Sequence, residues 1–344
     1  GYLAKPVSGA LLEAAVLSIL PKGLVQLNEE ARQSDIEKDI LIFEQAQRRS
    51  IMVTTDSVCD LPDSLIKEFG ISVCPYYVCT EEGRFLDDLE LKTDELLMHV
   101  VKGGKGYSQP PEVEDYERFF AEKLTEAQNV IHITMAKHVS DGYQNAIEAA
   151  KSFENVTVID CGHLSSSMGL AVLGAAYMAE HHAVKEEIVE AVKRMERSIS
   201  SAFIINSTHM MCHSGRIPKK VQVLCDALLL HPVLVLKKSK MVVGSMEMGG
   251  FQHAMKKYIR KALQDSGSID RSILFITYSG MEEKQLQYIK SLVQQYCPFE
   301  RIYLQKASSA IASNCGPGSF GLLFMRRDDS VLPFFQMPGQ DGAA

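Results

Sequence analysis

Strand-like and helix-like patterns alternate along most of this chain, and that alternation restricts the fold more than any other feature. Runs rich in β-branched and other apolar residues occur at 51–62 (IMVTTDSVCDLP), 71–80 (ISVCPYYVCT), 129–135 (NVIHITM) and 155–161 (NVTVIDC). They recur at 202–208 (AFIINST), 231–236 (HPVLVL), 272–278 (SILFITY) and 301–305 (RIYLQ). Helix-favouring stretches separate several of them, at 63–69, Val113–Glu126 and Lys185–Ser198. Such an order predicts an α/β fold, because each sheet must bury an apolar face under helices supplied by the connections. Small and polar residues follow directly after strand patterns at 55–57, 161–167 and 279–280. Open α/β sheets present their binding groups at strand ends, so a ligand cleft is expected there.

Composition narrows the function. The 344 residues are 46% hydrophobic and 23% charged, the balance of a globular protein with a sizeable core and room for two domains or lobes. A formal charge of −7 carries no footprint for nucleic acid, which needs clustered Lys and Arg against its phosphates. No apolar run reaches the roughly 18 to 20 residues of a spanning helix, and no basic, apolar leader follows Gly1. A cytoplasmic location is expected. Cys59, Cys74, Cys79, Cys161, Cys212, Cys225, Cys297 and Cys315 are scattered without a CxxC pair, which points to reduced thiols. His209, Cys212 and His213 have metal-like spacing but need a fourth ligand from elsewhere, so no metal is expected.

The chain opens with a short apolar run, Lys5-Pro6, and an amphipathic pattern with Leu11, Leu12, Val16 and Ile19 on one face. This looks like the last strand and helix of a response-regulator receiver domain, and equally fits an ordinary amphipathic helix. On the first reading the chain is the later part of a longer signalling protein. The expected divisions are a receiver-like remnant at 1–25, a polar helical linker at 26–50, lobes at 51–200 and 201–330, and a fraying tail at 331–344.

Four constellations lie in the main region: Thr55-Asp56-Ser57 with Asp60-Leu61-Pro62; Ser108-Gln109-Pro110; Gly215-Arg216-Ile217; and Gly316-Pro317-Gly318 followed by Gly321. In order and spacing, from about residue 51 to 326, they resemble the DegV family of fatty-acid-binding proteins. That resemblance implies two α/β lobes with an acyl chain buried between them and its carboxylate held by polar side chains near the surface. It implies no catalysis and no cofactor beyond the bound fatty acid. The best-known members present the ligand to a separate kinase subunit, which phosphorylates the carboxylate. Burying about fifteen methylenes at roughly 0.8 kcal/mol each would supply affinity, while donors at the mouth would offset desolvation of the carboxylate.

The head-group positions depart from the family's pattern. Tyr107 stands where Thr is usual, Pro111 where Ser is usual, and Ala136 and Lys137 replace a pair of serines, although Ser140, Tyr143, Gln144 and Ala146 fit. Asn314 occupies the place of a His, and Gly249 falls near that of an Arg. The expected ligand-binding set is therefore Asp56, Ser57, Tyr107, Ser108, Gln109, Lys137, Ser140, Arg216, Asn314 and Gly316. Asp56 and Ser57 either line the cleft or cap the next segment. Lys137 either meets the head group or is a solvated loop lysine, and Arg216 either binds or pairs on the surface. Gly316 belongs to a turn that lets backbone approach a ligand.

The leading expectation is a fatty-acid binder that serves a kinase or acts as a lipid-responsive output domain. The alternatives are a ligand-free interaction module and a serine hydrolase using Ser57, Ser108 or Ser140, for which no GxSxG elbow is present.

Overall fold

Strand β1 (Arg49–Asp56) takes its last two thirds into the interior, and positions 52–56 are all buried. A strand covered on both faces belongs in a parallel sheet under helices. The computed structural model describes residues 48–213 and 217–327, apart from the side chain of His213. The receiver-like stretch, the linker up to residue 47, Arg216 and the tail lie outside these residues; Arg49 and Ser50, expected in the linker, belong to β1.

After β1 come α1 (Asp63–Glu68), β2 (Ser72–Cys74), β3 (Tyr77–Thr80) and β4 (Gly83–Leu86). The run at 71–80, read as one strand, is two: Pro75 has no N–H for a ladder, and beyond it the chain joins a different sheet. Next follow α2 (Thr93–Val101), β5 (Gly106–Gln109), α3 (Val113–Glu126), β6 (Ala127–Thr134), α4 (Gly142–Ala150) and β7 (Val156–Asp160). Strands β2-β1-β6-β7 form a parallel sheet, while β4-β3-β5 form a small antiparallel one. The sheet is entered at β1 and extends first to one side and then to the other. This creates a switch point at the ends of β1 and β6.

Helix α5 (Ser165–Glu180) is apolar all round and buried from Ser165 through Ala176, as a helix sandwiched between layers must be. It is followed by α6 (Lys185–Ser198), β8 (Ile199–Ile204), α7 (His209–His213), α8 (Lys219–Ala227), β9 (Leu230–Lys237), β10 (Lys240–Met248) and α9 (Phe251–Ala262). The remainder is β11 (Ile269–Ser279), α10 (Glu283–Tyr296), β12 (Arg301–Lys306), α11 (Ser309–Cys315) and β13 (Ser319–Arg326). The second large sheet has the order β10-β9-β8-β13-β11-β12 and is antiparallel except for the β11–β12 pair.

Three apolar clusters hold these layers. The largest joins Val53, Ile131 and Ile133 of the parallel sheet through Leu170 and Leu173 of α5 to Phe275 and Leu323 of the six-stranded sheet. Each such side chain fully buried contributes about 1.5 to 3 kcal/mol. Tyr258, Ile259, Ile289 and Val293 of α9 and α10 pack on the six-stranded sheet, whereas Tyr116 and Phe120 of α3 with Ala146 of α4 pack on the parallel one. Several helices start alike: Glu95, Asp115, Glu187 and Gln285 each accept from the backbone N–H three residues earlier. From Arg49 onward the described chain is one compact unit with two sheet-based halves sharing α5.

Candidate functional site

The switch point of the parallel sheet opens onto a cavity of about 650 Å³, within the range of small-molecule sites. Val58 follows β1, Met135, Val139, Ser140 and Asp141 follow β6, and Leu164 follows β7, so one wall consists of strand-end loops. The facing wall is apolar: Phe203 and Ile205 at β8, Met211 on α7, Leu234 on β9 and Met241 on β10. Ile205, Met211 and Leu234 pack as a cluster of their own, with Ile217, Met241 and Cys315 against it. Tyr107, Ser108 and Pro110 from β5 and its end, and Ala310, Ile311, Asn314 and Cys315 from α11, also line the cavity, with Tyr76, Ile217, Val242 and Val243.

Besides Tyr107 and the Asp141 carboxyl group, polar side chains enter this cavity as two hydrogen-bonded pairs. Asn314 Nδ2 lies 3.3 Å from Ser108 Oγ and also donates to Ala310 O at 3.0 Å. Tyr76 Oη lies 3.0 Å from Ser140 Oγ, which accepts from Gly142 N at 3.2 Å. Tyr76 is buried, and burial, then the nearby Asp56, push its phenol well above the ordinary range, so it stays a neutral hydroxyl. Gly142 permits this approach, since a Cβ there would collide with the Tyr76 hydroxyl. The amide, two serine hydroxyls and the phenol can donate hydrogen bonds to an anion, and none carries a charge.

Among the residues expected from sequence, the structure brings Tyr107, Ser108, Ser140 and Asn314 together at the cavity. Tyr107 is 58% exposed and stands at the outside. Gln109 turns to Glu112, its Nε2 donating to Glu112 Oε1 at 2.7 Å. Ser57 Oγ donates to Asp87 Oδ2 at 2.6 Å and accepts from Tyr76 N at 3.0 Å, which supports the cavity wall from behind. Asp56 is wholly buried; it accepts from Tyr116 Oη at 2.7 Å and faces His132 Nε2 at 3.3 Å. Lys137 does not line the cavity: its Nζ pairs with Asp160 at 3.6 Å, the solvated-loop alternative. Gly316 caps α11 with φ of +71°, and a Cβ there would stand 2.7 Å from Met210 Cγ, so its role is to turn the chain behind Asn314. Arg216 lies outside the described residues.

Sequence reasoning passed over Tyr76 and the apolar lining. Tyr76 follows the strand-breaking Pro75, and Val58 and Met135 sit near the ends of strand-like runs with Leu164 just beyond another; that position was the available signal. Of the serines weighed as nucleophiles, Ser57 meets Asp87, Ser108 meets Asn314 and Ser140 meets Tyr76. Two of the described histidines face an acid: His99 meets Glu81 at 2.9 Å, and His132, near Asp56, pairs with Thr54 Oγ1 at 2.9 Å in the closed interior.

An α/β protein built on two large sheets and one small one, with a largely apolar cavity at the strand ends and a few neutral donors in its lining, is of the class of small-ligand binders. The chain belongs to the family described as "Uncharacterised protein, DegV family", whose sequence profile matches residues 50–327. It is 25% identical over 278 residues to a DegV domain-containing protein of Caldanaerobacter subterraneus, covering 80% of this chain and 98% of that one. Among solved structures it resembles a DegV family protein from Thermus thermophilus described as fatty-acid binding, with 27% identity and a TM-score of 0.71 over 81% of this chain and 100% of that one. A DegV family protein from Eubacterium eligens loaded with heptadecanoic acid shares the fold, with 19% identity, a TM-score of 0.69, and 81% and 100% coverage. Among the described residues no helix is long and apolar enough to cross a membrane, and no group of three or more His, Cys, Asp or Glu is placed to hold a metal ion.

Proposed function

We propose that this chain binds one long-chain fatty acid in the cavity, without catalysing a reaction on it. The carrying observation is a space of about 650 Å³ whose lining is apolar except for the Ser108–Asn314 and Tyr76–Ser140 pairs and Tyr107 and Asp141 beside them. An aliphatic chain gains about 0.8 kcal/mol for each methylene taken from water, and the same lining gives a sugar or nucleotide too few partners. The neutral donors receive the carboxylate by hydrogen bonds. Tyr107 stands toward solvent at this set, so the acid group faces outward. The Thermus relative, described as fatty-acid binding, supports the same ligand.

The bound acid is presented to a second protein. Val242 and Val243 of the edge strand β10 line the cavity and yet are 38% and 56% exposed, so part of the ligand lies near the surface. A fatty acid kinase subunit acting on the carboxylate is the partner we favour over use of the ligand as a signal. The eight cysteines form no disulfide and six of them are buried, which supports a reducing, cytoplasmic setting.

Calorimetric titration of delipidated protein with hexadecanoate tests the reading. One saturable site is expected, with weaker binding of octanoate because fewer methylenes are buried. Absence of heat and of displacement with every chain from eight to eighteen carbons would overturn it.

A further inference from the structure

Helix α11 lies late in the sequence, between two strands of the six-stranded sheet, but its first turn is held by side chains from the other half of the molecule. Ser309 Oγ donates to Asp87 Oδ1 at 2.6 Å, and Ala310 N donates to the same oxygen at 2.7 Å. Ser308 N donates to Asp60 Oδ1 at 2.8 Å, and Ser309 N to Asp88 Oδ1 at 3.2 Å. Ile311 N is met locally by Ser308 Oγ at 3.4 Å. The N–H groups of residues 308 to 310, which a helix start leaves without helical partners, are thus satisfied by three aspartates more than 200 positions away in sequence. Thr93 Oγ1 adds a bond to Ala307 O at 2.7 Å.

The aspartates are themselves fixed. Asp87 Oδ2 accepts from Ser57 Oγ, and Asp60 Oδ2 accepts from Ser165 Oγ at the start of α5. Asp60 and Asp88 adopt φ of +44° and +56°, the left-handed region that is uncommon for residues with a side chain, although Asp enters it more readily than most. Asp60 and Asp87 are 3% and 1% exposed, and burying such groups is costly unless every oxygen is used. At its other end, the same two-turn helix puts Asn314 against Ser108 and turns Ile311 into the cavity.

We infer that Asp87, seconded by Asp60, is a positioning residue for the ligand: it clamps the N-terminus of α11 to the opposite half of the fold and so sets where Asn314 meets the head group. The inference rests on the fatty-acid reading of the cavity. Asp87 does not line the cavity, so its influence passes through α11.

The test is a double-mutant cycle on the full chain, with hexadecanoate affinity measured for the wild type, Asp87→Ala, Asn314→Ala and the pair, and with Asp87→Asn as the conservative variant. Asp87→Ala and Asn314→Ala are each expected to weaken binding about tenfold, and the double variant also about tenfold rather than a hundredfold, because both changes disable one contact. Asp87→Asn, which keeps an oxygen facing Ser309 and Ala310, should stay within threefold of the wild type. If Asp87→Ala does not fold, Ser309→Ala removes a single clamp bond and enters the same cycle, with a smaller and equally non-additive loss. Additive losses, or full affinity after Asp87→Ala or its substitute, would overturn the clamp while leaving the fatty-acid reading intact. A wild type that takes up no hexadecanoate would remove the reading itself, and the clamp with it.

Discussion

Asn314 and Ser108 face each other at 3.3 Å across the polar corner of the cavity, one from the last helix and the other from a strand of the small antiparallel sheet. An incoming carboxylate would take its hydrogen bonds from this pair and from Ser140. Ser108→Ala is therefore expected to weaken hexadecanoate binding roughly ten- to a hundredfold, about 1.5 to 3 kcal/mol for a hydrogen bond to a charged group. Binding of the uncharged methyl ester should change less. Equal losses for acid and ester in displacement titrations would place the carboxylate elsewhere.

The apolar wall makes a separate prediction. Leu234 is buried in the cluster with Ile205 and Met211 and lines the cavity. Leu234→Trp puts an indole into space reserved for the acyl chain, so lipid occupancy should fall at least tenfold with the melting temperature within a few degrees of the wild type. A variant that melts normally and still binds hexadecanoate at full stoichiometry would show that the chain runs elsewhere.

Lys137 separates a charged head-group site from a neutral one. Its ammonium is half exposed and 3.6 Å from Asp160, and exposed pairs of this kind contribute about 0 to 1 kcal/mol. Lys137→Ala is expected to leave fatty-acid affinity within twofold. A loss of tenfold or more would restore the lysine to the site.

Asp60 gives a pH prediction. Burial raises its carboxyl from the ordinary 3.8 to about 8, against the bonds from Ser165 and Ser308 that pull it down, with Asp87 and Asp88 adding to the rise. The folded chain therefore binds this proton more tightly than the unfolded chain. The resulting stability is full below about pH 4, declines as pH rises through the interval, and is gone above about pH 8. Asp88, lifted to about 6 by burial and then by Asp87, acts with the same sign over a narrower interval. Asp60→Asn keeps the shape and loses the titration, so its melting temperature should fall less than that of the wild type between pH 5 and 8, by roughly 5 °C. Parallel melting profiles would contradict the assignment.

Much of the fold was legible because strand and helix periods differ and punctuation is strong. Helices α3 and α6 occupy the residues expected from their polar and apolar spacing, and the cavity opens beyond the ends of β1, β6 and β7, although of the stretches marked at 55–57, 161–167 and 279–280 only Leu164 reaches its lining. Local pattern failed at Pro75, where one apparent strand divides between two sheets, since pairing partners are chosen by tertiary packing. At the site, Ser108, Ser140 and Asn314 could be marked from motif order, but Tyr76 could not, because an aromatic beside a proline looks like core. Asp56 and Lys137 illustrate the opposite difficulty. Their side chains are drawn to partners far away in sequence, Tyr116 and Asp160, and nothing local shows which way they turn. The aspartates that hold α11 were illegible for the same reason.

The most direct measurement is denaturing mass spectrometry of an organic extract from the purified chain, quantified against protein. Close to one equivalent of a fatty acid with roughly sixteen to eighteen carbons is the expected result, on the methylene count that the affinity argument needs. An extract free of acyl chains, from protein that also fails to retain added hexadecanoate through gel filtration, would contradict the assignment of this cavity to a lipid.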